Sequence, residues 1–291
     1  AAIIGPAAVF EVFAQVPAAL VARRAVTASA GRVAALTESA LPAEIPVDPA
    51  DPVDPGDFAS LIPDQATADE AGAVISVRDL AVRHPGAATP ALSGVSFDLP
   101  AGGILVVTGE SGAGKSSLAL ALVRLLDYEG SYRIRIPGGP AIEARTLRSA
   151  DVRRVVGLCE QQPHLFDEDL RQNLKFARDS ASDDELLAVL ERVGLRAWAE
   201  ARGGLDSPVG ERGALVSGGQ AQRIALPPAI LAGFPVIILH APTAGGEREL
   251  ADQLLTDLLG ALPQDRAAIL ITHTEVPAGI AAERLELRAA G

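Results

Sequence analysis

The chain has 291 residues, 48% of them hydrophobic, which excludes global disorder and supplies enough apolar surface for a full core. Its formal charge of −12 excludes sequence-independent nucleic-acid binding, which needs a cationic face. One cysteine, Cys159, excludes an internal disulfide and a cysteine-rich zinc site, and an aromatic content of 3% argues against a base-stacking surface for single strands. The absence of methionine reads as a piece of a longer or processed protein.

In chain order, residues 1–22 are almost wholly apolar, carry Glu11 as their one charge and are followed at once by Arg23 and Arg24. That length with a basic flank predicts a membrane-spanning helix. A buried soluble helix and a signal peptide are the alternatives, the latter weakened by the lack of a basic region before the apolar run. One span cannot line a transport path, so further spans would have to come from elsewhere. Residues 25–41 predict a polar-faced helical extension. Residues 42–72 carry six prolines, eight acids and no base. Repeated proline and like charge predict an extended, solvated tether.

From residue 73 strands and helices alternate. Strands are predicted at 74–84, 91–99, 102–109, 131–136, 155–160, 235–240, 267–273 and 284–288. Helices are predicted at 116–126, 169–178, 183–194, after Gly218 and at 249–262. The run GGILVVTG is continuously apolar, as in a strand buried on both faces. The plan is α/β with a mostly parallel core.

Gly109-Glu110-Ser111-Gly112-Ala113-Gly114-Lys115-Ser116 fits G-x-x-x-x-G-K-[ST] between a buried strand and a helix. The glycines allow backbone N–H groups to turn inward around phosphate oxygens, and the helix start adds its positive dipole end. Lys115 would reach the outer phosphates of ATP, the Ser116 hydroxyl would bind Mg²⁺, and Ser117 is counted with them among the ATP-binding residues. Lysine occurs only here and at Lys175, so its presence at the motif position carries weight.

Val216-Ser217-Gly218-Gly219-Gln220 resembles the LSGGQ signature of ABC ATPases. It lies between the phosphate loop and an apolar strand, and His273 ends a later strand, in that family's order. The resemblance covers residues 73–289 and implies a P-loop ABC-type ATPase fold: a mostly parallel core sheet, added antiparallel strands and a helical lobe over about 167–232. It implies that His84 occupies the adenine-stacking position, that Gln161 (Gln162 adjacent) senses Mg²⁺ and the membrane domain, and that His273 contacts the γ-phosphate. It also implies that Ser217, Gly218, Gly219 and Gln220 act on ATP held by an opposing subunit. The segment around Gly204-Leu205-Asp206 and Val209-Gly210-Glu211-Arg212-Gly213 resembles that of ABC exporters. With a membrane helix fused ahead of the ATPase domain, the layout is that of a half-transporter. Phe10-Glu11 and the Pro/Asp tether look most like the thiol-reductant exporters, heterodimers that move cysteine and glutathione. The implied partners are a second half-transporter subunit and a membrane-embedded domain. The implied location is the cytoplasmic membrane, with the ATPase domain on the cytoplasmic side.

Two departures stand out. The family closes the strand after the signature with Asp-Glu-Pro, and here it reads His240-Ala241-Pro242. His240 cannot give the carboxylate that supports Mg²⁺, and Ala241 cannot act as the general base. The following loop, Thr243 to Glu247, also departs from the family's pattern. Pro227-Pro228 interrupts the helix after the signature and predicts that it bends or ends near Leu226. The expectation is an exporter subunit whose own site hydrolyses ATP poorly. A nucleotide-binding interaction module without transport, and a decayed exporter chain, are the other readings left open.

Overall fold

The structure is a computed structural model and describes residues 20–34, 41–53, 74–135, 140–240, 248–272 and 282–288. The chain forms two units, Ala1–Pro42 and Ala43–Gly291. In the first, residues 20–34 form a helix, α1, exposed along almost its whole length, in which the Thr27 hydroxyl donates to the Arg23 carbonyl. Among the described residues no helix is long and apolar enough to cross a membrane. Residues 1–19, most of the run expected to do so, lie outside the described residues. The predicted extension to residue 41 is shorter in part, since Leu41 is not helical.

In the second unit, β1 (Val74–Val82) pairs antiparallel with β2 (Leu92–Leu99). Next come β3 (Ile104–Gly109) and helix α2 (Lys115–Leu122), then β4 (Tyr128–Arg135) and β5 (Ala141–Glu143). The order β2-β1-β4-β5 makes a four-stranded sheet, antiparallel at every pairing. β4 starts three residues before its predicted start. Opposite Asp79 the β1–β4 register shifts, and Gly130 fills the gap at φ +90°, where a Cβ would lie 2.4 Å from the Asp79 carbonyl oxygen. Only glycine fits that approach.

Helix α3 (Ser149–Val155) leads into β6 (Val156–Cys159). Helices α4 (Leu170–Lys175), α5 (Asp183–Arg192), α6 (Arg196–Glu200) and α7 (Gly218–Leu231) follow. Then come β7 (Val236–His240), α8 (Arg248–Ala261), β8 (Ala267–Ile271) and β9 (Glu283–Leu287). The order β6-β7-β8-β3-β9 is a wholly parallel sheet. Period-two alternation divides its strands between two cores. Leu105, Val107, Ile238 and Ile269 pack with α2 and the antiparallel sheet, while Val106, Leu239 and Leu270 pack with α4 to α8. This explains why the strands read as unbroken apolar runs.

Local chemistry sets the helix ends. Ser182 and Glu185 form a reciprocal capping box on α5, and Asp169 accepts from the Gln172 N–H to cap α4. α7 runs through Pro227 and Pro228 to Leu231, so the expected stop near Leu226 is not found. Two interior prolines remove the donors that would meet the Arg223 and Ile224 carbonyls. Burial of Ile224, Leu226 and Pro227 outweighs this, and the helix closes with the Ala232 N–H on the Pro228 carbonyl.

Residues 43–53 of the acidic segment are docked, in contrast to the freely solvated tether that composition predicts. The Glu44 carbonyl accepts from the Asp127 N–H at 2.8 Å, and the Val53 N–H donates to the Thr146 carbonyl at 3.0 Å. The Asp48 carboxylate accepts from the Ser149 N–H at 2.7 Å and from its hydroxyl at 2.8 Å. Asp48 thus caps α3, whose own N-cap, Arg148, gives no side-chain bond. These two bonds, backbone first, hold the Asp48 carboxyl below its ordinary 3.8. The sign follows: the stabilisation is present above pH 3.8 and fades as pH falls through the lower folded value. Asp48→Ala is expected to cost about 1 kcal/mol, the usual worth of a helix cap, and to speed amide exchange in α3 selectively. Unchanged exchange across Ser149–Val155 would refute the cap.

Candidate functional site

The C-terminal ends of the parallel strands come level at one edge. Val107 of β3 sits opposite Ile271, Ile271 opposite His240, and Leu239 opposite Cys159. The Thr272 N–H donates to the Val107 carbonyl at 3.0 Å, holding β8 against β3 where the glycine loop departs. This edge, outside the carboxyl ends of the strands, is where open α/β sheets bind ligands.

The loop from Gly109 into α2 is built for an anion. Gly112 and Gly114 take φ of +84° and +86°. A Cβ at Gly114 would meet the Ala91 carbonyl oxygen at 2.6 Å. Gly114 is also the N-cap of α2; it gives no side-chain cap, and the first turn holds no acid. The amides of that turn are therefore left for an external acceptor, and the helix dipole favours negative charge. Lys115 is 4% exposed, and its Nζ donates to the carbonyls of Gly109 and Glu110, each at 2.7 Å. Burial lowers its pKa from the ordinary lysine value. An ammonium curled into its own loop, with carbonyl dipoles as the partners shown, is poised for phosphate oxygens. Ser111, Gly112 and Ser116 are exposed around it, and Ala113 is buried beneath.

His84 follows β1, and its Nε2 lies 2.8 Å from the Ser117 hydroxyl on the first turn of α2. The ring is exposed and Ser117 is buried. The structure thus brings His84 to the cradle. The Ser117 contact was not legible, since it joins positions 33 residues apart.

Gln161 follows β6 at the same sheet edge, half-buried, with Gln162 exposed beside it. His240 ends β7 half-buried, bordering a small cavity with Cys159, Glu160 and Gln222. Burial pushes the Cys159 thiol up to about 12. Among the described residues no cluster of histidine, cysteine and carboxylate side chains could hold a metal ion. Hard Mg²⁺ prefers oxygen donors, and His240 offers nitrogen where a carboxylate would serve it. Ala241, the loop from Thr243 to Glu247 and His273 lie outside the described residues.

Ser217, Gly218 and Gly219 are exposed at the head of α7. The Gln220 N–H donates to the Ser217 hydroxyl at 3.3 Å, and the Ser217 N–H donates to Gln220 Oε1 at 2.9 Å. The signature is therefore also a capping box. The S-x-x-Q spacing carried that signal, which the functional reading of the motif passed over.

The sequence model of the ABC transporter family matches residues 92–244. An ATP-dependent lipid A-core flippase of Xanthomonas oryzae pv. oryzae is 37% identical over 215 residues, which is 72% of this chain and 36% of the relative. One of the same description from Vibrio vulnificus is 33% identical over 202 residues, 68% of this chain and 34% of the relative. The chain thus spans about a third of the length of these curated relatives. Among solved structures, a bacterial Atm1-family ABC exporter with ATP bound superposes with a TM-score of 0.69 at 23% identity. That match covers 92% of this chain and 44% of the exporter chain, and shows the shared fold. The chain belongs to the ABC transporter family and carries its ATPase domain.

Proposed function

We propose that this chain is the ATP-binding part of an ABC exporter whose own site holds nucleotide but turns it over poorly. The observation that carries the reading is the uncapped turn at Gly114 with Lys115 curled into it, at a sheet edge where β7 ends in His240 instead of a carboxylate. The cradle fits the phosphates of ATP. The metal side fits less well, because position 240, in line with Ser116 and Gln161 as the expected metal residues, holds a histidine and not a carboxylate. Gln161 is read as sensing Mg²⁺ and the membrane domain and His273 as contacting the γ-phosphate, and Ala241 leaves the general base missing.

The exposed signature at Ser217 to Gly219 supports action on nucleotide held by a second subunit, and a heterodimer would place a competent site opposite this one. Residues 1–41 are read as the end of the membrane domain, 42–72 as its link and 73–291 as the ATPase domain on the cytoplasmic face. The flippase relatives favour an amphiphilic lipid as cargo. Phe10-Glu11 and the Pro/Asp segment support a second reading, export of cysteine or glutathione.

The test is calorimetric titration of ATP into the full chain, with Mg²⁺ and with a chelator. Binding of similar strength in both is expected. Binding that collapses without Mg²⁺ would show a working metal site and end the degenerate-site reading.

A further inference from the structure

His84 stands between two pinned points of backbone. The Ala91 N–H donates to the Val82 carbonyl at 2.7 Å, and the Ala87 N–H donates to the His84 carbonyl at 3.0 Å. The ring is exposed, and its side-chain hydrogen bond is the one to Ser117 at 2.8 Å. Ser117 is 5% exposed and lies on the same helical turn as Lys115. A hydroxyl has one proton and two acceptor sites, so Ser117 can accept from the imidazole while donating to an anion in the cradle. One buried hydroxyl therefore joins the exposed His84 ring to the helical turn that carries Lys115.

We propose that Ser117 is a positioning residue for base recognition: it fixes the plane of the His84 ring from inside the phosphate cradle and so couples base binding to phosphate binding. An imidazole offers less stacking area than a phenol, and a ring free to rotate loses more entropy on meeting a base. The bond to Ser117 removes that freedom beforehand. The inference rests on the nucleotide-binding reading above and adds to it the division of labour within the site.

Two probes separate the contributions. Inorganic tripolyphosphate reports the cradle alone, and the ratio of ATP affinity to tripolyphosphate affinity reports the base. Both are titrated calorimetrically into the full chain for wild type, Ser117→Ala, Ser117→Thr, His84→Ala and the double variant His84→Ala/Ser117→Ala. Ser117→Ala is expected to lower the ratio roughly fivefold, the equivalent of one net hydrogen bond. Ser117→Thr, which keeps the hydroxyl, is expected to restore it, and the double variant is expected to match His84→Ala. A ratio unmoved by Ser117→Ala, or losses that multiply in the double variant, would overturn the proposal while leaving nucleotide binding intact. Wild type that binds neither probe would overturn the nucleotide reading and this inference together. Equal thermal unfolding midpoints for wild type and Ser117→Ala keep a lost ratio from being a lost fold, and recovery by Ser117→Thr tells positioning from packing.

Discussion

Lys115→Ala is expected to weaken ATP binding about 10- to 100-fold, the range for losing one or two hydrogen bonds to a charged acceptor. The argument starts from burial. The ammonium is 4% exposed and has already left bulk water, held by the Gly109 and Glu110 carbonyls at 2.7 Å. Exchanging those carbonyl dipoles for phosphate oxygens requires little further desolvation and gains a full opposite charge. Alanine leaves the backbone curve in place, since the curve is set by Gly112 and Gly114, so the loss falls on the charge and not on the loop. Lys115→Arg is expected to fare little better: a planar, branched head does not fit a niche lined by two carbonyls of its own loop. Fluorescence titration with a labelled ATP analogue, alongside thermal unfolding, reads both. An alanine variant that binds within about twofold of wild type would remove Lys115 from the site, because even the weakest neutral hydrogen bond is worth about that much.

His240→Asp combined with Ala241→Glu is expected to raise ATP turnover at this site by about 10²–10⁴, the contribution of a positioned general base. His240 is the last residue of β7, level with Ile271, so an aspartate there stands at the edge from which the glycine loop leaves β3. The single change His240→Asp is expected to restore Mg²⁺ dependence to binding without restoring turnover. Phosphate release by the full chain, measured at concentrations that allow subunits to pair, distinguishes the two steps. A wild-type chain that hydrolyses as fast as the double variant would show that the natural site needs neither carboxylate.

The core strands and the glycine loop were legible because each reports its own environment. GGILVVTG is apolar at successive positions since β3 lies between two cores, and the glycine spacing at 109, 112 and 114 is dictated by backbone geometry within eight residues. What stayed hidden depends on distant partners. The side-chain cap of α3, Asp48, comes from 101 residues upstream, so local sequence could not show it. The same bond turns the first part of an apparently free acidic segment into a strap, since composition records charge but not the amide that charge meets. Pro227 and Pro228 predicted a helix that bends or ends near Leu226, and packing carries it on to Leu231. In the site, Gly109 to Ser117 could be read from spacing. The His84–Ser117 bond needed the β1 end and α2 to be brought together first.

Cys159 gives the chain a built-in chemical reporter at the edge of the parallel sheet. It is the sole thiol, and burial pushes its pKa up to about 12. Relative to a free cysteine near 8.5, its reactive thiolate is scarcer by roughly three orders of magnitude at neutral pH. Alkylation in native buffer is therefore expected to be slow, even though the residue keeps partial exposure at the end of β6. The labelling rate, followed by intact mass without any engineered probe, reports access to the sheet edge at Cys159, and a ligand that covers this edge slows it in proportion to its occupancy.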